Sequence, residues 1–212
     1  MSTGTDTPRR RGRPANTSTD DTVAAVLGAA RRLFAAKGYA GTSNREIAAA
    51  AGLAHTAIYN HFGSKAQLFT AVFVDVQDLL VVELDRSASA APDGPALPRA
   101  LFDATEALRA ADPSYVEFLA SMYIEVRRDP ELAQIFRGGA STFPIVEHLR
   151  DLTAADGHAE GTGGGDEPLW FWIAFALGLA QLSALADDDT FTATLDAFRT
   201  QFPPDPTGSS TA

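Results

Sequence analysis

Between residues 20 and 37, Val23, Val26, Leu27, Ala30, Leu33 and Phe34 recur at steps of three and four. That spacing lines one face of a helix, and Gly38 stands where such a helix is capped. Ser43-Asn44-Arg45-Glu46 has the form of a capping box and opens a short helix with Ile47, Ala48 and Ala51 inward. Gly52 breaks it. A second short helix is expected over about 54–61, with Ile58 and Phe62 inward, and Gly63 ends it. Ser64–Gln67 repeats the box and starts a long helix to about Ser87. Residues 87–98 read as a loop. Further helices are expected at about 98–111, 113–128 and 130–152, the second and third entered through Asp112-Pro113 and Asp129-Pro130. Gly138-Gly139 or Pro144 are candidate breaks in the last of these. Residues 156–167 read as a linker, followed by helices at about 168–186 and 189–201. No alternating strand pattern appears, so the fold class is all-α, with about nine helices.

The segment 43–62 places two short helices around a glycine turn, the outline of a helix-turn-helix. Its second helix can lie in a major groove. His55, Thr56, Tyr59 and Asn60 fall on the outward face of that helix, with hydrogen-bonding groups suited to base edges and phosphates.

Charge sharpens this reading. The 212 residues carry a net charge of −10, which argues against a nucleic-acid partner until its distribution is seen. Residues 1–65 hold nine Lys/Arg against four Asp/Glu, and the remainder holds eight against 23. A basic end on an acidic body suits nucleic-acid contact at one end only. There is no cysteine, which removes disulfides, thiolate metal sites and a cysteine nucleophile. No catalytic motif or metal-ligand spacing is visible, so neither an enzyme nor a cofactor or metal is expected. No secretory signal or membrane-length apolar run is seen, and the expected location is cytoplasmic.

With these residues in view, Leu33-Phe34, Lys37-Gly38-Tyr39, Thr42 to Ala48, Ala51-Gly52-Leu53 and Ile58 to Lys65 together resemble the DNA-binding domain of TetR-type transcriptional regulators. The resemblance covers about residues 20–70. It implies a three-helix DNA-binding domain over 19–66 and an effector-binding and dimerisation domain over 67–202. It further implies phosphate contact by Thr42, Ser43, Tyr59 and Lys65, phosphate or base contact by Arg45, and base reading by Thr56, Ala57 and Asn60. His61 matches a histidine common in the family. His55 stands where Lys is frequent, and Ala54 where a capping Ser or Thr is frequent.

Residues 1–18 read as a disordered, arginine-rich arm and 203–212 as a disordered tail. Arg-Gly-Arg-Pro within the arm, carrying Arg11 and Arg13, resembles an AT-hook core that lays arginines in a narrow minor groove. The plain alternative is a solvated basic tail that attracts any phosphate.

In the body, Phe102, Tyr115, Phe118, Met122, Trp172 and Phe175 are candidates for an apolar ligand pocket, with core packing as the competing role. Residues 170–180 are apolar all round and call for burial on every side, which a second copy of the chain supplies. Ala174, Leu177, Gly178, Gln181, Leu195 and Phe198 are the expected interface. The expected function is a homodimeric regulator, a repressor released from a palindromic operator in double-stranded DNA by a small lipophilic effector. The alternative is an architectural protein of A·T-rich DNA without an effector.

Overall fold

The computed structural model describes residues 19–90, 97–139, 143–155 and 167–201. The arm with Arg11 and Arg13, the linker after residue 155 and the tail lie outside the described residues. Ten α-helices follow in order, α1 (Thr19–Lys37), α2 (Asn44–Ala50), α3 (Thr56–Phe62), α4 (Lys65–Ala90), α5 (Leu97–Ala111), α6 (Ser114–Arg128), α7 (Pro130–Gly139), α8 (Pro144–Ala155), α9 (Glu167–Leu185) and α10 (Asp188–Gln201). There is no strand among the described residues. The expected helix over 130–152 is two helices, which raises the count from about nine to ten. α7 ends at Gly139 and Pro144 opens α8, so both candidate breaks mark the interruption.

α1, α2 and α3 form a small head, and α4 to α10 form the body. Head and body share one apolar core. Phe34 of α1, Phe69 of α4 and Phe118 of α6 meet with ring centroids 5.1 Å (34–69), 5.0 Å (69–118) and 6.5 Å (34–118) apart. Phe118 and Met122, expected at a ligand pocket, are therefore buried core residues. Within the body α4 packs on α5 and α8, and α6 packs on α9.

An ion pair between a buried arginine and a half-buried aspartate fastens the two parts at the α1–α6 contact. Arg31 is 4% exposed. Its Nη2 donates to Asp112 Oδ2 at 2.7 Å and its Nε to Ser114 Oγ at 2.9 Å, while the guanidinium carbon lies 3.3 Å from the Tyr115 ring centroid. Tyr115 is thus a cation–π partner rather than a pocket residue. Burial alone would raise the Asp112 carboxyl. The Ser114 hydroxyl and amide together with Arg31 outweigh it and hold the group down at about 2.

Candidate nucleic-acid interface

The head is shaped by local devices. At the end of α1, Gly38 takes φ +72°, and its N–H closes on the Phe34 carbonyl at 2.9 Å. Ser43 caps α2 as expected. Its hydroxyl accepts from the Glu46 amide at 3.2 Å, and Ser43 N–H donates to Glu46 Oε2 at 2.9 Å. Lys37 donates to the other oxygen of Glu46 at 2.8 Å. Lys37 and Ser43 together hold the Glu46 carboxyl down at about 2.

The turn between α2 and α3 is a Schellman motif. Leu53 N–H reaches the Ala48 carbonyl at 2.9 Å, and Gly52 N–H, at φ +70°, reaches the Ala49 carbonyl at 3.1 Å. This fixes the angle at which α3 leaves α2. Ile47, Ala48 and Ile58 are buried beneath the turn. After α3, Gly63 sits at φ 75°, ψ −65° while Ser64 N–H bonds the Phe62 carbonyl at 2.9 Å. That is a γ-turn of the rare hand, which glycine adopts without a Cβ clash. Ser64 then caps α4, accepting from Gln67 N–H at 3.1 Å.

Mounted this way, α3 presents Thr56, Tyr59, Asn60 and His61 to the outside, with His55 beside them at the helix start. Tyr59 is 50% exposed, and its ring stands edge-on to His55 with centroids 5.3 Å apart. Ala57 is half-buried. Ser43 and Arg45 are exposed at the start of α2. The position before α3 lacks a capping side chain, with His55 at the N-cap and no hydrogen bond from it. The α3 N-terminal amides are thus left without a side-chain cap.

Two expected phosphate contacts sit differently. Thr42 is buried, and its hydroxyl donates to the Gly38 carbonyl at 2.9 Å and the Leu33 carbonyl at 3.1 Å. Its hydroxyl braces the α1–α2 turn instead of facing outward. Lys65 Nζ donates to the Tyr39 and Thr42 carbonyls at 2.9 and 3.1 Å, 4.2 Å above the Tyr39 ring. Lys65 thereby ties α4 to the same turn.

The body separates the remaining candidates. A cleft of about 590 Å³ opens beside α4, α6, α7 and α8 and is lined by Phe73, Gln77, Tyr123, Phe136, Phe143 and Trp170 among others. A narrow apolar slot adjoins it, reaching Leu101, Val116 and Leu119. None of the six expected pocket residues lines either space. Phe102, Trp172 and Phe175 instead form an aromatic cluster with Phe198, in which Phe102 lies 5.4 Å from Phe175 and 5.3 Å from Phe198. On α6, Phe118 and Met122 pack into the core, while Val116, Leu119 and Tyr123 face the empty space.

The expected interface also divides. On α9, Ala174, Gly178 and Gln181 lie on an exposed face with Trp170, Phe171 and Leu185, so this helix is not buried on every side within one chain. Gln181 additionally donates to the Ala120 carbonyl on α6. Leu177 turns to the slot, Leu195 is fully buried in the core, and Phe198 is partly covered by Phe102. Sequence reasoning also missed Arg31, which counted as head charge but is neutralised by Asp112. Asp112-Pro113 signalled a helix start without showing that its carboxylate has a second partner.

Residues 26–72 match the model of the tetR family of bacterial regulatory proteins. Over 72 residues the chain is 43% identical to the HTH-type transcriptional repressor Rv3405c of Mycobacterium tuberculosis, a match that covers 34% of this chain and only 37% of that relative. Likeness over most of the body comes from solved structures. A TetR family transcription regulator from Marinobacter aquaeolei superposes with a TM-score of 0.55 at 23% identity, covering 84% of this chain and 93% of that one. NalD of Pseudomonas aeruginosa, a secondary repressor of the MexAB-OprM multidrug efflux pump, gives a TM-score of 0.51 at 26% identity, covering 87% and 97%. Among the described residues no helix is long and apolar enough to cross a membrane. Residues 26–72 thus match the helix-turn-helix head of the tetR family, and the chain shares its overall fold with solved regulators of that kind.

Proposed function

We propose that the protein is a homodimeric, sequence-specific DNA-binding regulator that acts as a repressor and is released by a small lipophilic effector. The observation that carries this reading is the mounting of α3, whose outward residues are free of the core while a Schellman turn and a γ-turn fix both its ends. Thr56, Ala57 and Asn60 read base edges. Ser43, Arg45 and Tyr59 hold phosphates, with His55 and His61 flanking them. Lys65 keeps the turn that carries Ser43 in place, and its third N–H is the one left for a phosphate. Arg11 and Arg13 reach the adjoining minor groove.

The exposed apolar face of α9 pairs with its copy through Ala174 and Gly178, where no atom lies near the glycine and a second helix can approach. A two-fold dimer then presents two α3 helices about one DNA turn apart, ~34 Å, to a palindromic site. The cleft of the body receives the effector. Because α4 lines the cleft and also carries Lys65 and Phe69 at the head, a ligand that prefers one α4 position over another shifts the spacing of the two heads.

Selection from random duplex DNA at near-physiological salt tests the reading. An enriched inverted repeat is expected. Enrichment of A·T content without a repeat contradicts it and favours the architectural alternative.

A further inference from the structure

The cleft lies in a chain whose body is strongly acidic, with eight Lys/Arg against 23 Asp/Glu after residue 65. Its lining departs from that balance. Among the described residues no carboxylate lines it, and the two charged residues that do are Arg127, in the last turn of α6, and Arg137, in the last turn of α7. Both side chains are exposed at its mouth. Neither is paired with a carboxylate among the described residues. Among the described residues Arg137 bonds only through its Nε, to the Ala133 carbonyl at 2.9 Å, with no partner there for the far edge of the guanidinium. Nearby acids are turned to other tasks. Asp129 caps α7 through the Glu131 and Leu132 amides at 3.0 Å, and Glu131 accepts from Ser64 at 3.2 Å.

The interior holds a second signal. Gln77 of α4 is 3% exposed and lines both the cleft and the slot, and its Oε1 has no hydrogen-bond partner among the described residues. A buried amide oxygen without a partner is destabilising, a cost that a ligand donor removes. Around it the surfaces are aromatic and aliphatic, with Phe73, Phe136 and Phe143 in mutual contact at centroid separations of 5.0–5.2 Å.

We infer that the effector is an amphiphilic organic anion, whose acidic group is held by Arg127 and Arg137 at the mouth and whose apolar body lies against the phenylalanines, with Gln77 as the polar contact inside. This rests on the reading of the cleft as the effector site. The two arginines lie on different helices, so an anion bridging them draws α6 and α7 together. α6 is also the helix whose N-terminal end receives Arg31 of the head. A carboxylate accepting from two guanidinium groups gains charge-assisted hydrogen bonds that a neutral or cationic head cannot make.

The test compares decanoate, decanol and decylammonium, which share an alkyl chain and differ in head charge. Binding to the full chain is followed by calorimetry and by the fluorescence of Trp170 at the cleft wall. Decanoate is expected to bind about tenfold or more tighter than decanol, with decylammonium weakest. The double variant Arg127→Gln, Arg137→Gln is expected to erase the preference for decanoate while decanol binds as before. Equal affinity for decanoate and decanol, or a preference that survives in the double variant, overturns the assignment of an anion and leaves a lipophilic effector standing. Tightest binding of decylammonium overturns it in favour of a cationic effector. Binding of none of the three overturns both this inference and the reading of the cleft as a lipophilic effector site.

Discussion

Residues 19–64 change direction at three glycines held at φ +72°, +70° and +75°, and each change is closed by a backbone hydrogen bond within five residues. The body from residue 65 onward has no positive-φ glycine among the described residues. It turns at Asp112-Pro113 and Asp129-Pro130, and its helices are held by long-range packing of aromatic and aliphatic side chains. The head therefore has its geometry written into short stretches of chain, and it is stiff where a recognition helix needs an angle fixed. The body leaves a cleft and a slot between its helices, space that a ligand can fill and so change the packing. Few polar contacts join the two. Arg31 on Asp112 is the most buried of them, and Phe34 on Phe118 is the apolar counterpart beneath it.

The largest expected effect comes from cutting that apolar joint. Phe34→Ala should cost about 3–5 kcal/mol, read as a shift of the urea midpoint for the whole chain. A variant in which the body melts as before and only the head is lost would show that the two parts do not share a core. Next comes the half-buried Arg31–Asp112 pair. Asp112→Ala leaves Arg31 charged without its carboxylate and should cost about 3 kcal/mol.

The same contact predicts a pH dependence. The Asp112 and Glu46 carboxyls are both held down at about 2, against about 4 in an unfolded chain. Their stabilisation is fully present above about pH 4 and is lost as pH falls through 4 toward 2. Urea midpoints measured between pH 7 and pH 3 should drop at the acid end, and Asp112→Asn should reduce that drop. An unchanged acid dependence in Asp112→Asn would remove the ion pair from the account.

Smaller effects test the local devices. Gly52→Ala meets no atom within 4 Å, so its cost is that of the backbone alone, about 1 kcal/mol. Ser43→Ala loses the capping box and should cost about the same. A near-zero change for both would mean that the turn does not fix α3. Smallest in stability is Gly178→Arg, on the open face of α9. It should leave the unfolding midpoint of the monomer unchanged within about 0.5 kcal/mol. Sedimentation is then expected to report a dimer for the parent chain and a monomer for the variant, and a dimeric variant would move the interface elsewhere.

The same contrast explains what could be read in the sequence. Capping boxes at Ser43 and Ser64, and glycines at 38, 52 and 63, act within a few residues of themselves, so their effect is visible in the letters. Helices of the body were visible too, but not which way they face. α6 carries two adjoining apolar stripes, and periodicity alone cannot tell which meets the core. Phe118 and Met122, the bulkier and more apolar choice, fill the centre, while Val116, Leu119 and Tyr123 face the empty space. α9 is apolar on all sides and so carries no directional signal. Leu177 on that helix therefore turns to the slot rather than to the open face. Arg31 shows the opposite limit, since a basic residue near a DNA-binding motif gives no sign in sequence that its partner lies 81 residues away.

The central claim is that α3 reads DNA from a fixed mount. The most direct measurement is the affinity of Asn60→Ala for the duplex selected by the parent protein, set beside its affinity for random duplex at the same salt. A base contact predicts a loss of about 1–3 kcal/mol on the selected site and almost none on random DNA. Equal losses on both, or none on either, would contradict a reading role for α3.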